Sequence, residues 1–290
     1  MTAVFLATAL PCAAAPGAST RHITGDAEPA YPITRRLQFT LTVQNPSNRL
    51  VEGATLHAYA PVRQTATQKC LELETSHPSE LTVDELGNQV LRFAFDPIPP
   101  FSTRIVTIRA SLALSETPNP LEERSLERFL PPEPLIEADH PEILPLAETL
   151  RRPTPAETAR SIFDWVAANI RYAGYLKDDR GALYALRTRQ GDCTEYMSLF
   201  VALCRASGIP ARGVAGYVYG ENRVVAPADF HNWAEVHLGG AWQVADPQER
   251  VFRESVERFL AFRLLGAAHA VAGIRHRFGV TAGALAVTMQ

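Results

Sequence analysis

The hydrophobic period of this 290-residue chain changes twice, and each change restricts what the surrounding residues can fold into. From about Arg35 to Leu114 apolar residues recur at every second position. Leu37, Phe39, Leu41 and Val43 alternate with polar partners in RRLQFTLTVQN, QVLRFAFD follows the same rule, and TRIVTIRASLAL is β-branched. That pattern buries one face of a pleated strand. Breaks at NPSN, ELGN and PIPPF read as turns, so a β-sandwich is expected. Between Glu116 and Pro155 proline recurs at positions 118, 120, 131, 132, 134, 141, 145, 153 and 155, which leaves room only for short helical fragments. The period then becomes helical. PAETARSIFDWVAANIRY begins with Thr154 as N-cap and Pro155 at the first helical position, and carries Ile162, Phe163, Val166 and Ile170 on one face. A short helix, GALYALRTR, and a third from Cys193 to about Ala206, stopped by Gly208 and Pro210, complete this stretch. Strands return in ARGVAGYVYG, HNWAEVHLG and AWQVADP. Helices followed by an antiparallel run define an α+β unit, not alternating βαβ units.

The expected organisation is a leader at 1–19, an N-terminal β-sandwich domain at 20–115, a proline-rich connector with short helices at 116–154 and an α+β catalytic domain at 155–290. The start, MTAVFLATALPCAAAPGAST, places an apolar stretch from Ala3 to Leu10 before the small residues Ala13 to Ala15, the order of a signal peptide. Export, periplasmic or secreted, is the expectation. The absence of Lys or Arg before the apolar stretch keeps a cytoplasmic protein as the alternative. No other segment approaches the roughly 18 continuous apolar residues of a membrane span. A net charge of -3 and the lack of a basic run argue against nucleic acid as a partner. With the leader removed, Cys70, Cys193 and Cys204 remain, an odd number, so at least one thiol is free. Cys193 and Cys204 lie eleven residues apart on one expected helix, a rise of about 16 Å that no disulfide spans.

Cys193, in GDCTEYMSLF, sits unlike a core cysteine. Asp192 and Glu195 fit a capping box, which makes Cys193 the first helical residue, beside unpaired N–H groups and the positive end of the helix dipole. Such a place favours a thiolate nucleophile. Downstream, His231, Trp233, Glu235 and His237 share one face of a strand, expected to look toward a cleft while the other face meets the core. His231, at the leading edge, suits the general acid/base role. Asp246 on the next strand is placed to hold an imidazole in the correct tautomer. Cysteine, histidine and aspartate together supply nucleophile, base and orienter.

The run GDCTEYMSLFVALCRASGIPAR, then HNWAEV, then WQVADP resembles the transglutaminase-like superfamily of cysteine enzymes, over roughly Pro155 to Pro247. The resemblance implies a papain-like core, with the cysteine helix packed on an antiparallel sheet, often behind a β domain in bacterial members. It assigns Cys193 as nucleophile, His231 as general base and Asp246 as orienting acid. No inserted acidic loop resembles the calcium sites of the animal cross-linking enzymes, and no cofactor is implied. The expected reaction is acyl transfer through a thioester on Cys193, hydrolysing an amide or peptide bond of a peptide or protein substrate. Transamidation is the alternative, and a non-catalytic binding scaffold the second.

Other residues near these motifs carry competing readings. His237 is a rival base, and His231 is preferred because Asn-Trp follows it. Trp233 either lines the acyl-donor slot or is partly buried structure, and Tyr196, one turn from Cys193, packs behind the site. Gln190 is a candidate oxyanion donor beside the Cys193 N–H, while Asp192 and Glu195 are read as caps. A zinc site is disfavoured because no paired CxxC or HxxxH spacing accompanies these residues, so no metal is assigned.

Overall fold

A computed structural model describes residues 30–121, 125–266, 277–281 and 285–290. The leader expected at 1–19 lies outside them. The β-rich front half is built from β1 (Ile33–Gln44), β2 (Thr55–Ala60), β3 (Gln68–Thr75), β4 (Glu80–Val83), β5 (Gln89–Ala94) and β6 (Thr103–Leu114). β1 and β6 pair antiparallel over their full length, and β3 adds to β6 through a bulge between Cys70 and Glu72. β5 pairs with both β2 and β4 to form a second sheet. The alternation read from the sequence decides which faces meet: Leu37, Phe39, Leu41 and Val43 of β1 and Val106, Ile108, Ala110 and Leu112 of β6 share one core with Leu56, Ala58, Leu91 and Phe93 of the second sheet.

The proline-rich segment is less of a spacer than its composition implies. It contains α1 (Ile143–Leu150), and Ile136, Ile143, Ala147 and Leu150 enter the helical core. Phe129 packs edge-on against Trp242 at 5.0 Å.

α2 (Pro155–Asn169) starts where its cap requires. Thr154 Oγ1 accepts from the Glu157 N–H at 3.2 Å, and Glu157 accepts the Thr154 N–H in return. After β7 (Arg171–Tyr172) come α3 (Gly181–Thr188), β8 (Gln190–Gly191) and α4 (Cys193–Ala206). α4 is buried on all sides from Glu195 to Arg205, and Gly208 at φ +77° turns the chain out of it. The chain continues through β9 (Ala211–Val218), β10 (Arg223–Val224), β11 (Phe230–Leu238), β12 (Ala241–Asp246), β13 (Val251–Phe252) and β14 (Phe259–Leu264). β13, β12, β11, β9 and β14 form an antiparallel sheet in that order, and α4 shares a core with Ala234, Val236, Leu238 and Ala245 on one of its faces. The fold is α+β, with a cysteine-led helix on an antiparallel sheet and a β-rich region in front.

β10 and β14 had no clear signal in the sequence. β14 completes the five-stranded sheet, and its FLAFRL shows no period because it is covered on both faces. At the tail, β15 (Phe278–Val280) joins β2 in one front sheet, and β16 (Ala286–Met289) joins β1 in the other. β10 adds parallel to β1.

Candidate active site

The site forms where the start of α4 meets the leading end of β11. Asp192 caps α4, with Oδ1 accepting the Thr194 N–H at 2.9 Å, and Glu195 Oε2 accepts the Asp192 N–H at 3.0 Å. Both carboxylates do more than cap. Asp192 Oδ2 accepts the Leu176 N–H at 2.8 Å, and Glu195 Oε1 accepts those of Arg180 at 2.8 Å and Gly181 at 3.3 Å. Two acids on one helical turn therefore hold the 176–181 segment beside the cysteine. Burial pushes the Glu195 carboxyl up, while the Arg180 and Asp192 N–H bonds pull it down. Gly191 is required here, because a Cβ would lie 2.3 Å from Glu195 Cβ.

Cys193 is partly exposed as the first residue of α4. His231 Nε2 lies 2.6 Å from Asp246 Oδ2, with 13% of the histidine side chain and 1% of the aspartate exposed. The Cys193 sulfur lies near enough to His231 to stabilise its protonated form. Burial alone lowers the His231 pKa, but the hydrogen bonds to Asp246 and Cys193, together with their negative charge, outweigh it and raise it to about 10. His231 thus holds its proton far above neutral pH. Opposite it in register stands Gly216, where a Cβ would lie 2.1 Å from the Leu260 carbonyl oxygen. A hydrogen bond missed from the sequence ties the two halves together: Asn232 Nδ2 donates to Thr194 Oγ1 at 2.9 Å, joining the residue after the histidine to the residue after the cysteine. Nothing in a linear pattern announces a bond between residues 38 positions apart.

The cleft expected along one face of β11 is not there. Trp233 and Glu235 are 1% and 3% exposed, Trp233 packing with Val62 of the front half and with Val214, Val244 and Phe259 of its own sheet, while His231 and His237 at the two ends of that face are partly exposed. Trp233 packs on Phe259 at 5.2 Å and lies 6.5 Å from the His231 ring in a near-parallel arrangement, so it backs the histidine from the core. Glu235 pairs with Arg212 at 2.7 Å, and the Arg212 guanidinium lies 4.1 Å over the Trp242 ring. His237 stands against Trp242 at 5.3 Å, about 20 Å along the strand from His231. Tyr196 is buried behind the cysteine and donates to the Ile170 carbonyl at 2.5 Å. Gln190 lies on β8, its Oε1 accepting from Arg171 at 3.1 Å, which leaves its amide N–H groups for another acceptor.

An antiparallel sheet carrying a histidine and an acid, faced by a helix that begins at a cysteine, is the core architecture of papain-like α+β proteins. Residues 145–247 match the family model of the transglutaminase-like superfamily. Kyphoscoliosis peptidase of Homo sapiens is 32% identical over 102 residues, covering 32% of this chain and 15% of that protein. Protein-glutamine gamma-glutamyltransferase of Pseudomonas aeruginosa is 37% identical over 86 residues, covering 27% of this chain and 13% of that protein. The chain thus matches only a small part of either relative. A solved structure from Cytophaga hutchinsonii, provisionally named a cysteine protease, shares the fold over 89% of this chain and 92% of its own, with a TM-score of 0.59 at 19% identity.

Proposed function

We propose that the protein is a cysteine-dependent acyltransferase that hydrolyses an amide or peptide bond in a peptide or protein substrate. The observation that carries this reading is His231, held by Asp246 at 2.6 Å and near enough to the cysteine at the start of α4 for the sulfur to favour its protonated form. In the proposed reaction Cys193 sulfur attacks the amide carbonyl carbon. The tetrahedral oxyanion is met by the Cys193 N–H and, in this reading, by the free amide end of Gln190. The C–N bond breaks as His231 gives its proton to the departing amine, and the acyl group remains on sulfur as a thioester. Water, deprotonated by His231, then attacks the thioester carbonyl, and the C–S bond breaks to release the acid and free the Cys193 sulfur while His231 keeps the proton. Asp246 keeps the imidazole oriented throughout.

Transamidation is the second reading. The Pseudomonas relative, named for glutamyl transfer, favours it, whereas the human relative is named a peptidase. The same thioester serves both, and they differ in whether water or an amine takes the acyl group. Incubation with glutamine peptides and a labelled primary amine separates them: hydrolysis predicts free acid in excess, and product carrying mainly the amine overturns it. Export and the division at 115/116 and 154/155 belong to the same proposal. No helix among the described residues is long and apolar enough to cross a membrane.

A further inference from the structure

The strand that carries His231 is half-supported where the histidine sits. β9 pairs with β11 from Phe230 onward, but β12 joins it only from Ala234, so Phe230 to Trp233 pair with β9 alone among the described strands. Asp246 fixes the imidazole ring, not the backbone from which it hangs. The chain ahead of this end, residues 220–229, joins β9 to β11 and is mostly exposed, so burial does little to hold it. The front half holds it instead. Arg35 Nη1 donates to the Gly220 carbonyl at 2.5 Å, the Arg36 N–H to Asn222 Oδ1 at 2.8 Å, and the Val225 N–H to the Gln38 carbonyl at 2.8 Å. Val225 itself is wholly buried, in the core of the front sheets.

Two further contacts fall on the last residues before the histidine. Tyr219, buried in the same core, donates its hydroxyl to Asp229 Oδ2 at 2.5 Å and accepts the Ala226 N–H at 3.1 Å. Arg277, just ahead of β15, donates to the Pro227 carbonyl at 3.0 Å, and its guanidinium lies 4.9 Å over the Phe230 ring. Phe230 in turn stands edge-on to Tyr217 at 5.7 Å. A charge-assisted bond from a buried phenol and a cation over a ring therefore pin the chain on both sides of the point where β11 begins.

We infer that Tyr219 and Arg277 are positioning residues for His231, and that the front half takes part in the reaction by setting the imidazole against Cys193. Neither residue touches the reacting atoms. Both act through Asp229, Pro227 and Phe230, which deliver the histidine backbone to the start of α4. A misplacement of about 1 Å between reacting groups costs about a hundredfold in rate, so a small loosening of this approach has a large effect. The inference rests on the acyl-transfer reading and gives the front half a part in that same site.

The test uses the full chain, with two readouts: the rate at which iodoacetamide alkylates Cys193 at pH 7, and the NMR titration midpoint of the His231 imidazole. Wild type is compared with Tyr219→Phe, which keeps the ring and removes only the hydroxyl, and with Arg277→Ala and Arg277→Lys at a half-buried position. In Tyr219→Phe the alkylation rate should fall about tenfold, with Cys204 still unmodified. The His231 midpoint should drop in parallel from about 10 toward 6.5, as the ring leaves its partners. Arg277→Ala should slow alkylation about threefold, and Arg277→Lys, which keeps a donor for the Pro227 carbonyl, should recover most of that loss. Variants that lower the denaturant midpoint of unfolding but keep the wild-type rate and His231 midpoint mark a structural contact only and overturn the inference. An Arg277→Lys protein as slow as Arg277→Ala does the same for the role of Arg277. Alkylation of wild-type Cys193 no faster than that of Cys204 overturns the acyl-transfer reading itself.

Discussion

The two ends of α4 carry the same residue type and treat it in opposite ways. At the first turn Cys193 is partly exposed, lies near His231, and sits on a cap made of two carboxylates. At the last turn Cys204 is wholly buried, burial pushes its thiol well up, and the neighbouring charge is a cation. Arg205 donates to the carbonyls of Ala211 at 2.8 Å and Pro131 at 2.7 Å and to Glu133 at 2.6 Å. Acids at the N-terminus and an arginine at the C-terminus both complement the helix dipole. One end spends that complement on arranging a reactive group, the other on fastening the helix to the proline-rich segment.

Four experiments press on that contrast. The largest effect is expected from His231→Ala, which should slow turnover, and alkylation of Cys193 by iodoacetamide, by about a thousandfold, while Cys204 stays unmodified until the protein unfolds. Comparable modification of both thiols in the folded wild type would erase the difference between the helix ends. At the other end, Arg205→Ala strands the Glu133 carboxylate. It should cost about 3 to 5 kcal/mol in denaturant unfolding, with the site geometry retained in the folded fraction.

The third experiment reads His231 by pH. Its folded pKa is raised to about 10 from an ordinary 6.5, so the stability its proton contributes is fully present below pH 6.5 and is lost as pH rises through about 10. The stability advantage of wild type over His231→Gln should shrink across that window, and NMR titration of the imidazole should show a midpoint near 10. A midpoint near 6.5 would mean that Asp246 and Cys193 do not outweigh burial. The smallest effect is expected from Asp192→Ala, which removes the cap and the Leu176 contact. It should cost about 1 to 2 kcal/mol and loosen the 176–181 segment, read as faster amide exchange at Leu176.

The same contrast explains which parts of the molecule were legible in the sequence. α2 and α4 have clear starts because Thr154, Asp192 and their glutamates are local signals, complete within four residues. Cys193, His231 and Asp246, which meet in space, stood out because each lies at the end of an element where a motif is easy to read. What escaped depends on distant partners. The expected cleft face of β11 is filled where Trp233 packs on Phe259 and Glu235 pairs with Arg212, and neither the Asn232–Thr194 bond nor the clasp of Asp192 and Glu195 on 176–181 has a periodic signature. Glu235 shares a face with His231, yet the buried Arg212 that claims it lies on a neighbouring strand.

β15 and β16 also bear on how the chain is made. Strand β1 cannot fill its outer edge until residues 286–289 exist, and β2 waits in the same way for 278–280. During synthesis the front half therefore leaves the ribosome with two open sheet edges, and these close only after the segment carrying Cys193 and His231 has been produced. Contacts of such long sequence separation slow folding and leave strand edges available for wrong pairing. A chain halted before residue 278 would hold every residue of the candidate site and still lack the strands that finish its front sheets.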